Sequence, residues 1–208
     1  MSRRFVIAGT DTDVGKTVFA AALVGALDGC YWKPIQAGLE YGGDAALMRL
    51  FTPVDSTQIL PEVYRLATAA SPHRAAEIDG VEIDVDSLVP PATKRPLVIE
   101  LAGGLMVPLT RSKLQIDLLA RWGLPVILCA RTKLGTINHS LLSIEALNNR
   151  NIPIHGIAFI GDTNEDTERT ICEMGNVRRL GRLPMVSPLN AVNIDRAFKD
   201  HFRREDFS

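Results

Sequence analysis

The chain has 208 residues and an apolar content ordinary for a globular protein, which suits one domain spanning 1–208 and leaves no room for a second catalytic domain. Its formal net charge of -1 argues against an electrostatic grip on nucleic acid. No apolar run approaches the roughly 20 residues that would span a bilayer, so no membrane partner is expected.

Met1-Ser-Arg-Arg runs straight into a short strand, without the apolar region or cleavage site of a signal peptide. Phe5-Val-Ile-Ala8 reads as that strand, and Thr17 to Leu27 follows as an Ala- and Leu-rich helix. A short strand around Tyr31-Trp32 ends at Lys33-Pro34. Leu97-Val-Ile-Glu100, Val126 to Ala130 and Ile154 to Ile160 are further buried-strand candidates, each bounded by Gly or Pro. Helical patterns lie between them at Ala45–Phe51, Leu114–Trp122, Ile137–Asn149 and Thr167–Gly175. This alternation predicts an α/β fold of three layers, with a mostly parallel central sheet covered by helices on both faces. The stretch from Thr52 to Pro96, rich in proline, reads as one or two helices plus loops beside the site. The tail from Asp195 to Ser208 is mixed in charge and shows no strong apolar face. Cys30, Cys129 and Cys172 are far apart and form no Cys-x-x-Cys pair, which fits reduced thiols in a cytoplasmic protein.

The segment Gly9-Thr-Asp-Thr-Asp-Val-Gly15-Lys16-Thr17 stands between the first strand and the first helix. Backbone N–H groups and the helix amino end would face phosphates, Lys16 would bridge them, and the Thr17 hydroxyl would ligate magnesium. The first glycine lies one residue earlier than the usual spacing demands, with Thr10 at the expected position. This is a P-loop, the mark of a P-loop NTPase-type fold. Magnesium needs further hard oxygen ligands. Glu100 ends an apolar run just before Ala102-Gly103-Gly104, where a charge points to a ligand or catalyst. Asp44 follows Gly42-Gly43 at a helix start and reads equally as an N-cap or a ligand. Lys33, at a strand's carboxyl end before Pro34, is placed to neutralise a transferring phosphate or reacting anion.

Together these pieces resemble dethiobiotin synthetase, the family that closes the ureido ring in biotin synthesis. The matching stretches are 9–17, Lys33-Pro-Ile-Gln-Ala-Gly38, Asp44, Ser71-Pro-His73, Glu100-Leu-Ala-Gly-Gly104 with Pro108-Leu109, Lys133-Leu-Gly-Thr-Ile-Asn-His139, and Gly181-Arg-Leu-Pro184. The resemblance implies an ATP-dependent, Mg2+-requiring ligase acting on 7,8-diaminopelargonate and CO2 or bicarbonate. One amine forms a carbamate that attacks the γ-phosphate, and the other amine then attacks the carbamic-phosphoric anhydride. It also implies catalytic roles for Lys16 and Lys33, and a metal site of Thr17, Asp44 and Glu100. Asp13, Val14, Gly15, Lys16, Thr17, Val18, Asp44, Glu100, Gly103, Leu183, Pro184 and Met185 would contact the nucleotide and its metal. Thr12, Lys33 and Ala37 would lie against the diamine. The family is a homodimer, and Gly135, Thr136, Ile137 and Asn138 would hold the substrate carboxylate near the interface. His73 and His139 read as structural, since the mechanism gives neither a task.

Three departures from the family pattern stand out. Leu101 replaces a glycine, which predicts a different local backbone. Ala37 lacks a hydroxyl that would bond the substrate. Ile160-Gly161 stands where some members carry Asn-Asp to read adenine, which predicts relaxed nucleotide choice with other triphosphates accepted. The rival reading is a partitioning-type P-loop ATPase that switches a partner protein or DNA, but that class has a lysine where this chain has Asp11.

Overall fold

The computed structural model describes residues 3–39 and 42–207. The readings made above of Met1-Ser2 and Ser208 lie outside the described residues. Among the described residues, nine strands and seven α-helices follow in chain order. They are β1 (Arg4–Gly9), α1 (Lys16–Leu27), β2 (Cys30–Trp32), β3 (Ile35–Ala37), α2 (Asp44–Phe51), β4 (Ile59–Leu60), β5 (Tyr64–Leu66) and α3 (Pro72–Asp79). Then come β6 (Leu97–Gly104), α4 (Gln115–Trp122), β7 (Val126–Arg131), α5 (Thr136–Asn148), β8 (Ile154–Ile160), α6 (Glu165–Gly175), β9 (Arg179–Leu183) and α7 (Ala191–His201).

Seven strands form one sheet in the order β4-β2-β6-β1-β7-β8-β9. Every described pairing between them is parallel, and the centre is set by Ile7 opposite Glu100 on one side and Ile127 on the other. The alternation along β1 explains the layers. Phe5 and Ile7 join α1, α2 and α7 in one core, while Val6 and Ala8 join α4 and part of α5 in another. A strand buried on both faces must be apolar throughout, which is why these strands read as unbroken apolar runs. A sheet with helices on both faces is what the strand–helix alternation predicts.

Lys33-Pro34 separates two sheets. Before it, β2 belongs to the main sheet; after it, β3 pairs in parallel with β5 in a small second sheet, against which α3 packs. The Pro34 carbonyl accepts from the amides of Val63 and Tyr64, fixing this departure point. The 52–96 stretch therefore holds one α-helix, two single-turn 3-10 helices at 56–58 and 85–87, and the short strands β4 and β5. Two- and three-residue strands carry too little periodicity to be read in advance.

The tail needs correction. Ile194, Phe198, Phe202 and Phe207 form an apolar face, each nearly or wholly buried, and close over Phe19 of α1. Phe198 and Phe202 stack with centroids 4.9 Å apart, and Phe19 lies 5.4 Å from Phe202. The spacing of 194, 198 and 202 is that of one helix face, but the intervening Arg, Lys and Asp residues hide it from a reading based on composition. Truncating Phe198 to Ala should cost about 3–5 kcal/mol by opening a cavity at the centre of this cluster. Urea unfolding of the variant, with an unchanged slope and a lower midpoint, is the check.

Candidate active site

The phosphate loop is shaped by close approach. A Cβ on Gly9 would lie 2.7 Å from the Asp11 carbonyl oxygen and 3.0 Å from Lys16 Nζ, so only glycine lets the loop curl back over the strand end. Asp13 and Gly15 take left-handed backbone angles of 54° and 97° in φ. Gly15 is the N-cap of α1 and supplies no side-chain acceptor, so the first amides of the helix stay available for an anion. Arg131, at the end of β7, donates to the Thr12 carbonyl at 2.6 Å and ties the loop to the neighbouring strand.

Lys16 is buried and donates to the Asp11 carbonyl at 3.2 Å. Desolvation is the largest influence on it and lowers its pKa, opposed by the Glu100 carboxylate. Phosphate oxygens would relieve that strain directly, since they place negative charge against a poorly solvated ammonium.

Glu100 sits in β6 with only 1% of its surface exposed. Thr17 donates its hydroxyl to Oε1 at 2.7 Å, and Tyr31 donates to Oε2 at 2.8 Å. Lys33 Nζ is 3.6 Å from Oε1 and makes its direct ion pair with Asp44. Burial, then the Glu100 charge, pushes the Tyr31 phenol well above its usual pKa, so it remains a proton donor to the carboxylate. Asp44 is the first residue of α2, and Gly43 is the cap. Its side chain reaches Lys33, and its amide donates to Gln36 Oε1 at 3.0 Å, while Gln36 Nε2 donates to the Gly38 carbonyl at 3.0 Å. Buried Gln36 thus sets the distance between the helix start and the Lys33 strand.

A hydroxyl and two carboxylates converge here with no cysteine or histidine on the cavity wall, and among the described residues no group of three or more His, Cys, Asp or Glu could hold a metal alone. Such a set fits magnesium, which favours few carboxylates and completes its shell with phosphate oxygens and water.

These side chains open on a cavity of about 930 Å³. Of the sequence-derived residues, it brings together Thr12, Asp13, Gly15, Lys16, Thr17, Val18, Lys33, Ala37, Asp44, Glu100 and Gly103. Val14 is buried beneath the loop, and Leu183 packs in the core. Pro184 and exposed Met185 lie beyond it, and that segment reaches the cavity through Leu189. Gly135, Thr136, Ile137 and Asn138 begin α5 and do not line the cavity of their own chain. Thr136 is turned inward and donates to the Arg131 carbonyl at 2.6 Å. Sequence reasoning missed Tyr31, Gln36 and Gln115. The last donates to the carbonyls of Ala102 and Gly104 at 2.9 Å each and holds the β6 turn, where Gly103 takes a φ of 62°. No local pattern marks Tyr31 and Gln115, whose partners lie in β6, and nothing in Gln36 itself announces its bond to the start of α2. Leu101 is an ordinary buried strand residue, with the left-handed position falling two residues later.

With this geometry in place, comparison with known proteins decides the family. ATP-dependent dethiobiotin synthetase BioD of Nitrobacter hamburgensis is 58% identical over 207 residues, covering 100% of this chain and 98% of that protein. The Bradyrhizobium diazoefficiens enzyme of the same name is 59% identical over 208 residues, covering 100% and 99%. The chain belongs to the dethiobiotin synthetase family. A family model described as AAA domain also matches residues 3–193. A ParA family ATPase from Chlorobium tepidum superposes with a TM-score of 0.54 at 14% identity, over 96% of this chain and 92% of that one. A putative plasmid partition protein from Borrelia burgdorferi gives 0.56 at 13%, over 100% and 97%. Those two likenesses show a shared P-loop fold.

Replacing Tyr31 by Phe strips one buried Glu100 oxygen of its donor. The expected loss is about 1–3 kcal/mol of folding stability, read from the midpoint of denaturant unfolding.

Proposed function

We propose that the cavity carries the ring-closing ligation for which the family is named, converting 7,8-diaminopelargonate, CO2 and ATP to dethiobiotin, ADP and phosphate. The observation that carries this reading is the convergence of two lysines, two carboxylates and Thr17 at the mouth of the phosphate loop.

The chemistry needs positioning and charge neutralisation more than a protein nucleophile, since the substrate's amines supply the attack. The amides at the start of α1 and the Lys16 ammonium would hold the β- and γ-phosphates. Lys33, fixed between Asp44 and Glu100 at the end of β2, would sit against the carbamate as its oxygen attacks phosphorus. Mg2+, held by Thr17, Asp44 and Glu100, would neutralise the phosphate charge that builds during transfer. Thr12 and Ala37 would border the diamine, and alanine at 37 offers it no hydroxyl. We further infer a homodimer in which Gly135 to Asn138 of one chain meet the substrate carboxylate in the partner's cavity. The exposure of Leu134 and Leu142 beside that segment supports it. Among the described residues no helix is long and apolar enough to cross a membrane. The place of action proposed is the cytoplasm.

The wall expected to face the base has little to read it with. The Gly161 amide donates to the Leu183 carbonyl at 3.0 Å, and the Gly161 carbonyl accepts from Arg182 at 2.8 Å. A side chain at 161 is barred, because a Cβ would lie 2.6 Å from Thr132 Oγ1 and φ is 128°. The amide is taken and the carbonyl already accepts one bond, which favours weak discrimination among bases.

Three outcomes test the proposal. Phosphate release should require both the diamine and bicarbonate; hydrolysis indifferent to the diamine but stimulated by DNA or a partner protein would favour the switch ATPase. Lys33→Ala should abolish turnover while leaving the fold intact by circular dichroism, and retained activity would refute its assigned role. In competition, CTP and GTP should reduce ATP use at comparable concentrations, whereas strong ATP preference would overturn the reading of the Gly161 wall.

A further inference from the structure

Ring closure by the route above must release protons. One leaves an amine as it takes up CO2, and another leaves the second amine as it displaces phosphate. The two innermost carboxylates are engaged, Asp44 with Lys33 and Glu100 with Thr17, Tyr31 and Lys33. Another part of the cavity wall offers a different acceptor. Ser71 lines it beside Ala69 and Ala70, and Gly38, which follows Ala37, packs so closely there that a Cβ would lie 3.1 Å from that of Ala69.

Ser71 is the N-cap of α3, with Pro72 as the first helical residue. A serine in that position ordinarily turns its hydroxyl to an amide of the first helical turn. Here it makes no such cap bond, and its hydroxyl lies 3.0 Å from Nδ1 of His73. His73 is anchored by its own amide to the Pro108 carbonyl at 3.3 Å. It lines not the main cavity but a second one, of about 220 Å³, bordered also by Glu77, Glu82 and Arg111. The Ser71–His73 hydrogen bond therefore joins the reaction cavity to a separate opening on the surface.

We propose that Ser71 and His73 form a proton relay that carries a proton from the attacking amine of the substrate to solvent in the second cavity. The inference rests on the ring-closing reading. As the amine forms its C–N bond, its ammonium N–H passes a proton to Ser71 Oγ while the serine proton moves to His73 Nδ1. The resulting imidazolium gives its Nε2 proton to water. Only N–H and O–H bonds are exchanged, and nothing is oxidised or reduced. The charged groups around this opening are Glu77, Glu82 and Arg111, and both Arg111 and Arg74 are paired with Glu77. Ser71 meets the substrate, and His73 acts through it as a positioning residue.

The test is the single-turnover rate of ring closure from about pH 6 to 9, at saturating nucleotide, diamine and bicarbonate. Wild type is compared with Ser71→Ala, His73→Gln and the double variant. Each single change should slow the step about 10²-fold near neutral pH, within the usual range for proton-transfer catalysis, with KM values little changed. The deficit should shrink as pH rises, added imidazole should restore part of the His73→Gln rate, and the double variant should be no slower than the slower single. Rates equal to wild type would overturn the relay and leave the proton to another acceptor such as Asp13. A uniform loss, insensitive to pH and imidazole, would overturn it in favour of a packing role. If wild type itself shows no diamine-dependent phosphate release, the ring-closing reading fails first, and that outcome is distinct from either.

Discussion

A carboxylate almost fully removed from water, Glu100, is the constraint around which the site is built. An ionised group at that depth costs several kcal/mol unless its oxygens are paired and hydrogen-bonded. Its partners come from two elements: Thr17 from α1, and Tyr31 and Lys33 from β2 and the residue that follows it. The need to satisfy one buried charge thus fixes the phosphate loop, the second strand and Lys33 relative to one another. Asp44 extends the network by pairing with Lys33, and Gln36 then fixes where α2 begins. The parallel sheet makes this possible by bringing the carboxyl ends of β1, β2 and β6 side by side.

The phosphate loop itself follows from the same economy of space. Gly9 is needed because Lys16 folds back across it, and Gly15 because Ile160 of β8 presses on it from the side. The early glycine that departs from the usual spacing is therefore a packing requirement of this loop. The chain's likeness to partition-type ATPases is one of fold, and the family relationship lies with the dethiobiotin synthetases.

Much of this was legible in the sequence. Long apolar strands such as Ile154–Ile160 and helices such as Ile137–Asn149 carry their own periodicity, and the loop carries its own glycines. The metal-ligand candidates stood out because a charge ending an apolar run is costly without a task. What escaped were residues whose meaning depends on distant partners. Tyr31 reads as one aromatic residue of a short strand until Glu100 is placed beside it. Ile194, Phe198, Phe202 and Phe207 read as scattered apolar residues in a charged tail until α1 supplies the surface they cover. Whether Asp44 caps a helix or faces a ligand could not be read locally either, because the answer lies in Gly43 and Lys33 together.

Since one carboxylate organises both the proposed metal ligands and Lys33, nucleotide binding should report on it directly. Calorimetric titration of the nucleotide with and without Mg2+, on the native protein and on Glu100→Gln, isolates the charge while keeping the side chain's shape. The account predicts that Mg2+ tightens nucleotide binding to the native protein and has no such effect on the variant, which retains binding through the loop. An undiminished Mg2+ effect in Glu100→Gln would contradict it.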